Sequence, residues 1–301
     1  MTSNSATTVS LDQLYTDIMA TVRIAEVPGY DEDKIWKVLK AYEQFYTESS
    51  VAFRTTTVSK EHRDLSVRYF ETSQKHDPYV IALKHKLYTP DSHPIDRLIP
   101  EIMEKLSPAG CGVDLSVRHG FEKIWPVIGP CIPTEDLFVL ESIPDSVKSH
   151  ADVYARHGLD WIGILGVDYT NKSFNIYWIF KDPALMPEEN VRGLIHDLGF
   201  KVPDEIVLEK LPRFFTVYTT HTWDSPRVER LSFAMASPAA SVPTHVHPVF
   251  KYFVEDVPIV AKERFITFNS CYGHRGDYMK IEVDYKGVLG NAVGFLFESV
   301  P

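Results

Sequence analysis

The fold is decided by residues 161–180, WIGILGVDYTNKSFNIYWIF, where two apolar runs flank a short polar turn. Strands are predicted at 161–169 and 173–180, because a turn such as TNK between two alternating runs is typical of a β-hairpin. The apolar side of the second run alternates with Ser173, Asn175 and Tyr177. This segment therefore predicts a hairpin that is apolar on one face and polar on the other.

The same hairpin pattern recurs along the chain, about every 50 residues. Further strand pairs are predicted at 51–58 with 64–70, 111–119 with 121–128, 213–221 with 228–236, and 265–271 with 277–285. Helices are predicted at 11–27, 32–46, 93–106, 144–158, 187–199, 247–258 and 288–299. Parallel βαβ units would place one strand between helices, so the spacing indicates five αββα-like repeats.

Alternation within the strands indicates which face the helices cover. In 228–236, Leu231, Phe233 and Met235 share one side, and 277–285 alternates in the same way. Amphipathic helices bury the apolar face, so the polar face lines the interior if the sheet closes. We expect an α+β fold in one domain over residues 1–301. It is a closed ten-stranded antiparallel barrel ringed by helices, with residues 1–10 disordered.

Composition and charge exclude several classes of partner. The 301 residues carry a formal net charge of -10, with 44% hydrophobic and 24% charged residues. An acidic chain does not suit nucleic acid or an anionic membrane as a partner. No apolar stretch approaches the ~20 residues that span a bilayer, and the three cysteines fit neither a disulfide framework nor a paired-cysteine metal motif. We expect a cytoplasmic monomer.

The predicted inner face carries cations beside aromatic rings. The cations are Arg54, Arg68, Lys123, Arg230 and Lys280, and the rings are those of Trp125, Tyr177 and Tyr218. Buried unpaired charge is costly, and the acids Glu282 and Asp284 neutralise only part of it. A multivalent anion such as a diphosphate would compensate the rest. The rings suit an allylic carbocation, since cation–π attraction contributes about 0.5–2 kcal/mol for each ring.

Eight segments, in order and spacing, resemble one family over nearly the whole chain from about residue 30. They are HDPY (76–79), SHPIDRL (92–98), HGFEK (119–123), YARHGLD (154–160), VDYTNKSFNIYW (167–178), FFTVY (214–218), VERLSFA (228–234) and DYMKIEVDY (277–285). The family is that of the ABBA aromatic prenyltransferases of bacterial and fungal secondary metabolism, which modify phenols, naphthalenes and phenazines. Its ten-stranded barrel of αββα repeats agrees with the fold predicted above.

The resemblance also implies roles for individual residues. The diphosphate-binding residues would be Arg54, Arg68, Lys123, Asn175, Tyr177, Tyr218, Arg230 and Lys280. The acceptor-binding residues would be Trp125, Ile164, Phe215, Thr216, Ser232, Glu282 and Asp284. Tyr177, Tyr218 and Glu282 are the catalytic candidates. Glu282 would bind a phenol hydroxyl or accept a proton, although an ion pair with Lys280 or Arg230 fits equally well.

One departure from the family concerns the metal. Magnesium-dependent members have an aspartate where this chain aligns Ser66, and Arg68 follows two residues later on the same side of the strand. This indicates that Arg68 replaces the charge of the metal, so no cofactor is expected. A register shift of two residues would place Asp64 there instead. The bulk of Arg68 would shorten the donor tunnel and favour dimethylallyl over geranyl diphosphate.

The predicted reaction is transfer of a dimethylallyl group from its diphosphate to a phenolic ring through an allylic cation. The main alternative is a non-catalytic barrel that binds a hydrophobic or anionic metabolite. An indole prenyltransferase is a second alternative, although such chains are typically longer. A hydrolase or phosphatase that uses the anion site is a third.

Overall fold

The computed structural model describes residues 8–73, 76–182, 186–203 and 214–301. Its ten strands form a closed antiparallel barrel in which each strand pairs with its neighbours in sequence and the first pairs with the last. The strands are β1 Ser50–Thr56, β2 Ser66–Glu71, β3 Gly110–Ser116, β4 Gly120–Pro133, β5 Trp161–Asp168, β6 Ser173–Ile179, β7 Phe214–Thr222, β8 Arg230–Pro238, β9 Phe265–Gly273 and β10 Tyr278–Asp284. The predicted fold class is confirmed; residue 213, placed in a strand by the sequence, lies outside the described ranges.

Ten α-helices among the described residues accompany the barrel. They are α1 Leu11–Ile24, α2 Glu32–Ala41, α3 Glu43–Glu48, α4 Pro78–Lys84, α5 Ile95–Lys105, α6 Asp145–Ser149, α7 Ala151–Arg156, α8 Glu188–Asp197, α9 Pro248–Glu255 and α10 Leu289–Glu298. None of these helices has the length and apolar character needed to cross a membrane. Of the ten residues expected to be disordered, 1–7 lie outside the description, and the Ser10 side chain caps α1.

Two predicted helices are each divided in two, and one helix was not predicted. The predicted helix 32–46 breaks at Tyr42, whose backbone leaves the helical region and whose hydroxyl donates to Pro78 O at 2.6 Å. The predicted helix 144–158 breaks at His150 in the same way. Helix α4 has seven residues, too few for a periodic pattern, but Asp77 caps its N-terminus and Pro78 is its first residue.

The barrel wall separates two apolar clusters. Leu231, Phe233 and Met235 on β8 belong to the large core between the sheet and the helices, whereas Ala234 belongs to an inner cluster with Trp125. The same division holds on β6, where Trp178 is in the outer core and Tyr177 in the inner cluster. The predicted alternation is therefore confirmed, and the polar strand face lines the lumen.

Candidate active site

The lumen contains a cavity whose empty space, about 690 Å³, includes its opening to solvent. Ten of the predicted site residues line it: Arg54, Arg68, Trp125, Ile164, Tyr177, Phe215, Thr216, Tyr218, Lys280 and Glu282. Helix α10 contributes Leu289, Val293 and Leu296, so the end of the chain forms part of the wall. The cavity is therefore built by residues from nine of the ten strands and from one helix.

Asp114 on β3 holds two of the predicted cations together. Its carboxylate accepts a hydrogen bond from Arg54 Nη2 at 2.8 Å and from Arg68 Nε at 2.7 Å. Burial opposes ionisation of Asp114, but the charges of Arg68 and Arg54 outweigh it and lower the pKa of the carboxyl well below its usual range. Asp114 is fully buried, so it is a permanent anion between two guanidinium groups.

A second carboxylate, that of Glu122 on β4, lies beside Asp114 and its two arginines. Its Oε2 accepts a hydrogen bond from the Ser66 hydroxyl at 3.1 Å, and that hydroxyl accepts one from Arg54 at 3.3 Å. Burial and the nearby charges of Asp168 and Asp114 raise the pKa of Glu122 to about 7. Ser66 thus lies within the arginine–carboxylate network, whereas the Asp64 carboxylate accepts a hydrogen bond from Ser116.

The third cation is also paired, because Lys123 Nζ lies 3.2 Å from Asp168 Oδ2. Lys123 does not line the cavity directly; its ammonium lies 4.9 Å from the centroid of the Trp125 ring. Three of the five predicted cations therefore have carboxylate partners. The sequence analysis expected Glu282 and Asp284 to neutralise part of the cluster; in the structure β3, β4 and β5 bring further acids that it had not placed in the lumen, so fewer cations are left for an external anion.

Arg230 and Lys280 differ from the other three cations. Among the described residues, no carboxylate forms an ion pair with either of them, and Arg230 Nη1 donates to the Tyr278 hydroxyl at 2.8 Å. Burial lowers the pKa of Lys280 well below its ordinary value, and the charge of Arg230 adds to the effect. This half of the lumen therefore has an uncompensated positive potential, which an anionic ligand would neutralise.

Stacked aromatic rings lie between the arginines bound to Asp114 and the Arg230–Lys280 pair. The rings of Tyr177 and Tyr218 stack with centroids 4.3 Å apart, and Trp125 meets Tyr177 edge-on at 5.2 Å. Lys280 Nζ lies 5.4 Å from the Tyr218 centroid. Burial raises the pKa of both tyrosines, so they remain neutral phenols. The arrangement offers π-faces to a cation in the cavity.

Strand register explains why several polar groups converge at this point. Arg230 lies opposite Thr220, and Thr220 lies opposite Asn175, so the three form one row across β8, β7 and β6. Ser232 lies opposite Tyr218 in the next inward-facing row. Four buried polar atoms here lack a hydrogen-bond partner among the described residues: Trp125 Nε1, Asn175 Oδ1, Arg230 Nε and Ser232 Oγ. Such atoms indicate a polar ligand, since buried polar groups are normally paired.

Two acidic residues of the predicted site are placed differently from expectation. The Asp284 carboxylate does not line the cavity; it accepts hydrogen bonds from the backbone N–H groups of Lys286, Gly287 and Leu289 at the turn into α10. Its predicted place among the acceptor-binding residues is therefore wrong, because β10 ends at this residue. Glu282 does line the cavity, but its ion pair is with Arg68 at 3.2 Å rather than with Lys280 or Arg230.

Several cavity residues were missed by the sequence analysis. They are Phe70, Ala234, Thr267, Asn269, Leu289, Val293 and Leu296, with Asp114, Glu122, Asp168 and Tyr278 in the surrounding network. Alternation on β3 would have placed Asp114 inward, since Cys111, Val113 and Leu115 point the other way. On α10, Leu289, Val293 and Leu296 follow the i, i+4, i+7 spacing of one helix face, but this spacing does not show that the face points into the lumen.

The fold and the site resemble those of a ligand-binding barrel, and comparisons with known proteins show its class. The sequence profile described as Aromatic prenyltransferase Orf2 matches residues 9–295. The chain belongs to this family and is an aromatic prenyltransferase. The alternative of a non-catalytic barrel is thereby excluded.

Named relatives act on different aromatic compounds. The chain is 27% identical to 5,10-dihydrophenazine-1-carboxylate 9-dimethylallyltransferase of Streptomyces anulatus, over 90% of this chain and 92% of the relative. It is 29% identical to the furaquinocin biosynthesis prenyltransferase of Streptomyces sp. strain KO-3988, over 92% and 91%. The crystal structure of 5-dimethylallyltryptophan synthase from Streptomyces coelicolor aligns with a TM-score of 0.58 at 10% identity, covering 93% of this chain and 98% of that one. That likeness concerns the fold alone.

Proposed function

We propose that this enzyme transfers a dimethylallyl group from its diphosphate to a hydroxylated aromatic ring, without a metal ion. One observation carries the proposal: carboxylates pair with the cations in one half of the lumen but not with those in the other half. Arg230 and Lys280 have no carboxylate partner among the described residues and lie next to stacked rings. A diphosphate there would receive a bidentate contact from Arg230 and a point charge from Lys280.

The proposed reaction uses the cations and aromatic rings around this diphosphate position. The allylic C–O bond breaks heterolytically, and the pyrophosphate leaving group takes the electron pair and is stabilised by Arg230 and Lys280. The C5 cation is shielded from water by the rings of Tyr177, Tyr218 and Trp125. The electron-rich acceptor carbon or oxygen then forms the new bond, and the displaced proton leaves to a base. Glu282 would accept it; the position of this residue in the cavity lining supports the assignment.

Metal independence is supported by the groups around Ser66. The serine hydroxyl is within hydrogen-bond distance of Arg54, and the Arg68 guanidinium lies on the same inner face of β2. Asp114 and Glu282 pair with these two guanidinium groups, so they would occupy the space of a divalent cation without adding net charge, and the cations left for the diphosphate are Arg230 and Lys280.

The five-carbon donor is supported by the volume that Arg68 occupies. Its side chain covers the Trp125 ring and reaches both Asp114 and Glu282, so it fills the lumen beside the cavity. A phenolic acceptor would lie against the apolar side of the cavity, formed by Ile164, Phe215 and Val293. Two named relatives, from Streptomyces anulatus and Streptomyces niveus, are dimethylallyltransferases.

A cytoplasmic location and a monomeric state complete the proposal. The three cysteines are free and buried, which suits a reducing compartment.

One assay tests the proposal. The purified chain is incubated with a dihydroxynaphthalene and either dimethylallyl or geranyl diphosphate, each with and without EDTA, and the products are identified by mass spectrometry. We expect a product heavier by one isoprene unit, formed at the same rate with EDTA. A rate that collapses with EDTA and returns with Mg²⁺ overturns metal independence, and a faster geranyl reaction overturns the donor assignment. Release of phosphate without any prenylated product would favour the hydrolase alternative.

A further inference from the structure

A cluster of metal-ligating side chains lies on the outer face of the barrel wall. It consists of Glu71 at the end of β2, Cys111 on β3 and His76 in the connection that follows β2. One carboxylate oxygen, one sulfur and one imidazole nitrogen of these residues lie within 4.8 Å of one another. Glu71 and Cys111 are paired in the strand register, so the sheet itself brings two of the three groups together.

The cluster is separate from the active site. Along β2, Arg68 and Phe70 line the lumen cavity, and neighbouring residues of a strand point to opposite faces. Tyr69 and Glu71 therefore face outward, toward the helical layer, and Tyr69 stacks on Phe45 of α3. A ligand bound to this cluster would not reach the prenylation site.

The S···N distance in the cluster matches that of a tetrahedral metal site, and the S···O distance is somewhat longer. Cys111 Sγ lies 3.5 Å from His76 Nε2 and 3.9 Å from Glu71 Oε1. Zinc bonds are about 2.3 Å to sulfur and about 2.0 Å to nitrogen or oxygen, so a tetrahedron with these ligands has S···N and S···O edges of about 3.5 Å. We propose that Glu71, His76 and Cys111 bind a zinc-like transition-metal ion.

The surroundings favour this assignment over a hard cation such as Mg²⁺. A thiolate and an imidazole are soft and borderline ligands, which suit Zn²⁺ and not Mg²⁺ or Ca²⁺. The Phe45 ring stacks on His76 with centroids 3.5 Å apart and restrains the imidazole. The side chains of His76 and Glu71 are 9% and 8% exposed, so the cluster is largely shielded from solvent. A water molecule or Tyr69 Oη, 3.0 Å from His76 Nε2, would complete the tetrahedron.

The competing interpretation is a network held by protons alone. In that case His76 Nε2 hydrogen-bonds Tyr69 Oη, Nδ1 lies at an ion-pair distance of 3.1 Å from Glu71 Oε1, and the thiol proton stays on Cys111. The two interpretations differ in one observable: only the metal site forms a bond between the ion and the sulfur.

Cobalt substitution tests for that bond. The chain is stripped with a chelator and titrated with Co²⁺, and the thiolate-to-cobalt charge-transfer band is followed in the near ultraviolet. We expect one equivalent of Co²⁺ to saturate the band and Zn²⁺ to abolish it by displacement. Cys111→Ser should lose the band and His76→Gln should weaken Zn²⁺ binding by about 10-fold or more. Cys131→Ser is the matched control, because Cys131 is similarly buried but its sulfur lies near the Leu296 carbonyl.

A second variant covers the case in which Cys111→Ser fails to fold, which circular dichroism would reveal. The double variant Cys131→Ser/Cys271→Ser retains Cys111 as its one thiol, since the chain has 3 cysteines. The band should persist in this variant, and Zn²⁺ should raise its unfolding temperature. The proposal is overturned if the wild-type chain shows no thiolate band, or if the band is lost in the double variant.

Discussion

The guanidinium carbon of Arg68 lies 4.0 Å from the centroid of the Trp125 ring. The same guanidinium donates to Asp114 and forms an ion pair with Glu282, so it is held from three sides. A flexible side chain with these contacts becomes a fixed part of the wall. Arg68 therefore limits the volume left beside Trp125, and we expect this to restrict the length of the donor.

Shortening this side chain should relax the donor preference. In Arg68→Ala, Asp114 keeps its hydrogen bond from Arg54, so we expect the fold to survive. The space released beside Trp125 should raise the ratio of kcat/KM for geranyl over dimethylallyl diphosphate by about 10-fold or more, since burying each additional methylene contributes about 0.8 kcal/mol. The ratio is measured by competition between the two donors. An unchanged ratio would show that Arg68 does not limit chain length.

Removing the unpaired arginine should abolish turnover. Arg230→Ala deletes a cation that has no carboxylate partner among the described residues and whose Nε is unsatisfied. We expect kcat/KM to fall by about 100-fold or more, as for other groups that stabilise developing charge, with little change in unfolding temperature. The exposed Arg275 provides the control, and Arg275→Ala should be as active as wild type. Near-normal turnover of Arg230→Ala contradicts the assignment of the diphosphate site.

The barrel could be predicted from the sequence because its strands alternate strictly. On β6 every second residue, such as Phe174 or Trp178, is buried in the outer core, and an alternation of period two has no helical equivalent. The break at Tyr42 could not be predicted, because it depends on a hydrogen bond to Pro78, 36 residues away. Local patterns record which face is apolar but not which distant segment contacts it.

The charge balance of the lumen was the least predictable feature. Asp114 and Arg54 are 60 residues apart, and their pairing follows from a closed sheet whose register must be known to one residue. A single slip would have moved Asp114 to the outer face. Asp284 was predicted to face the lumen because of its position in the strand. Instead, its carboxylate accepts a hydrogen bond from the Leu289 N–H group at the turn into α10. The inward cations could be recognised by residue type, whereas the carboxylates that pair with them could be identified only from the structure.

Binding of the diphosphate should be accompanied by proton uptake at Lys280. Burial, with the charge of Arg230, lowers the pKa of this lysine in the free enzyme, and an adjacent anion would raise the pKa again. Calorimetric titration with pyrophosphate in buffers of different ionisation heat measures the protons taken up. Lys280→Met should take up fewer than wild type. Lys286→Met is the control, because the pKa of Lys286 is also lowered, to about 8, but its Nζ bonds Thr47 O outside the cavity. Equal uptake by all three proteins contradicts the prediction.

Glu122 should make folding stability fall as the pH rises. Burial and the charges of Asp168 and Asp114 raise its pKa from an ordinary 4.5 to about 7. Between these values the folded chain binds a proton that the unfolded chain has released, so the free energy of unfolding decreases with pH in this window. Glu122→Gln keeps an acceptor for Ser66 but cannot ionise, and should remove this part of the pH dependence.

Urea denaturation at about pH 5 and about pH 8 measures the effect of Glu122→Gln as a difference from wild type. The variant should gain stability relative to wild type at the higher pH, where wild-type Glu122 is forced to ionise beside two other carboxylates. The exposed Glu135 supplies the control, and Glu135→Gln should track wild type at both values. If Glu122→Gln loses stability relative to wild type as the pH rises, Glu122 is a stabilising anion in the folded chain. Its carboxylate would then act as a counter-ion of Arg54 and Lys123, and the positive charge left for a ligand would reside in Arg230 and Lys280 alone.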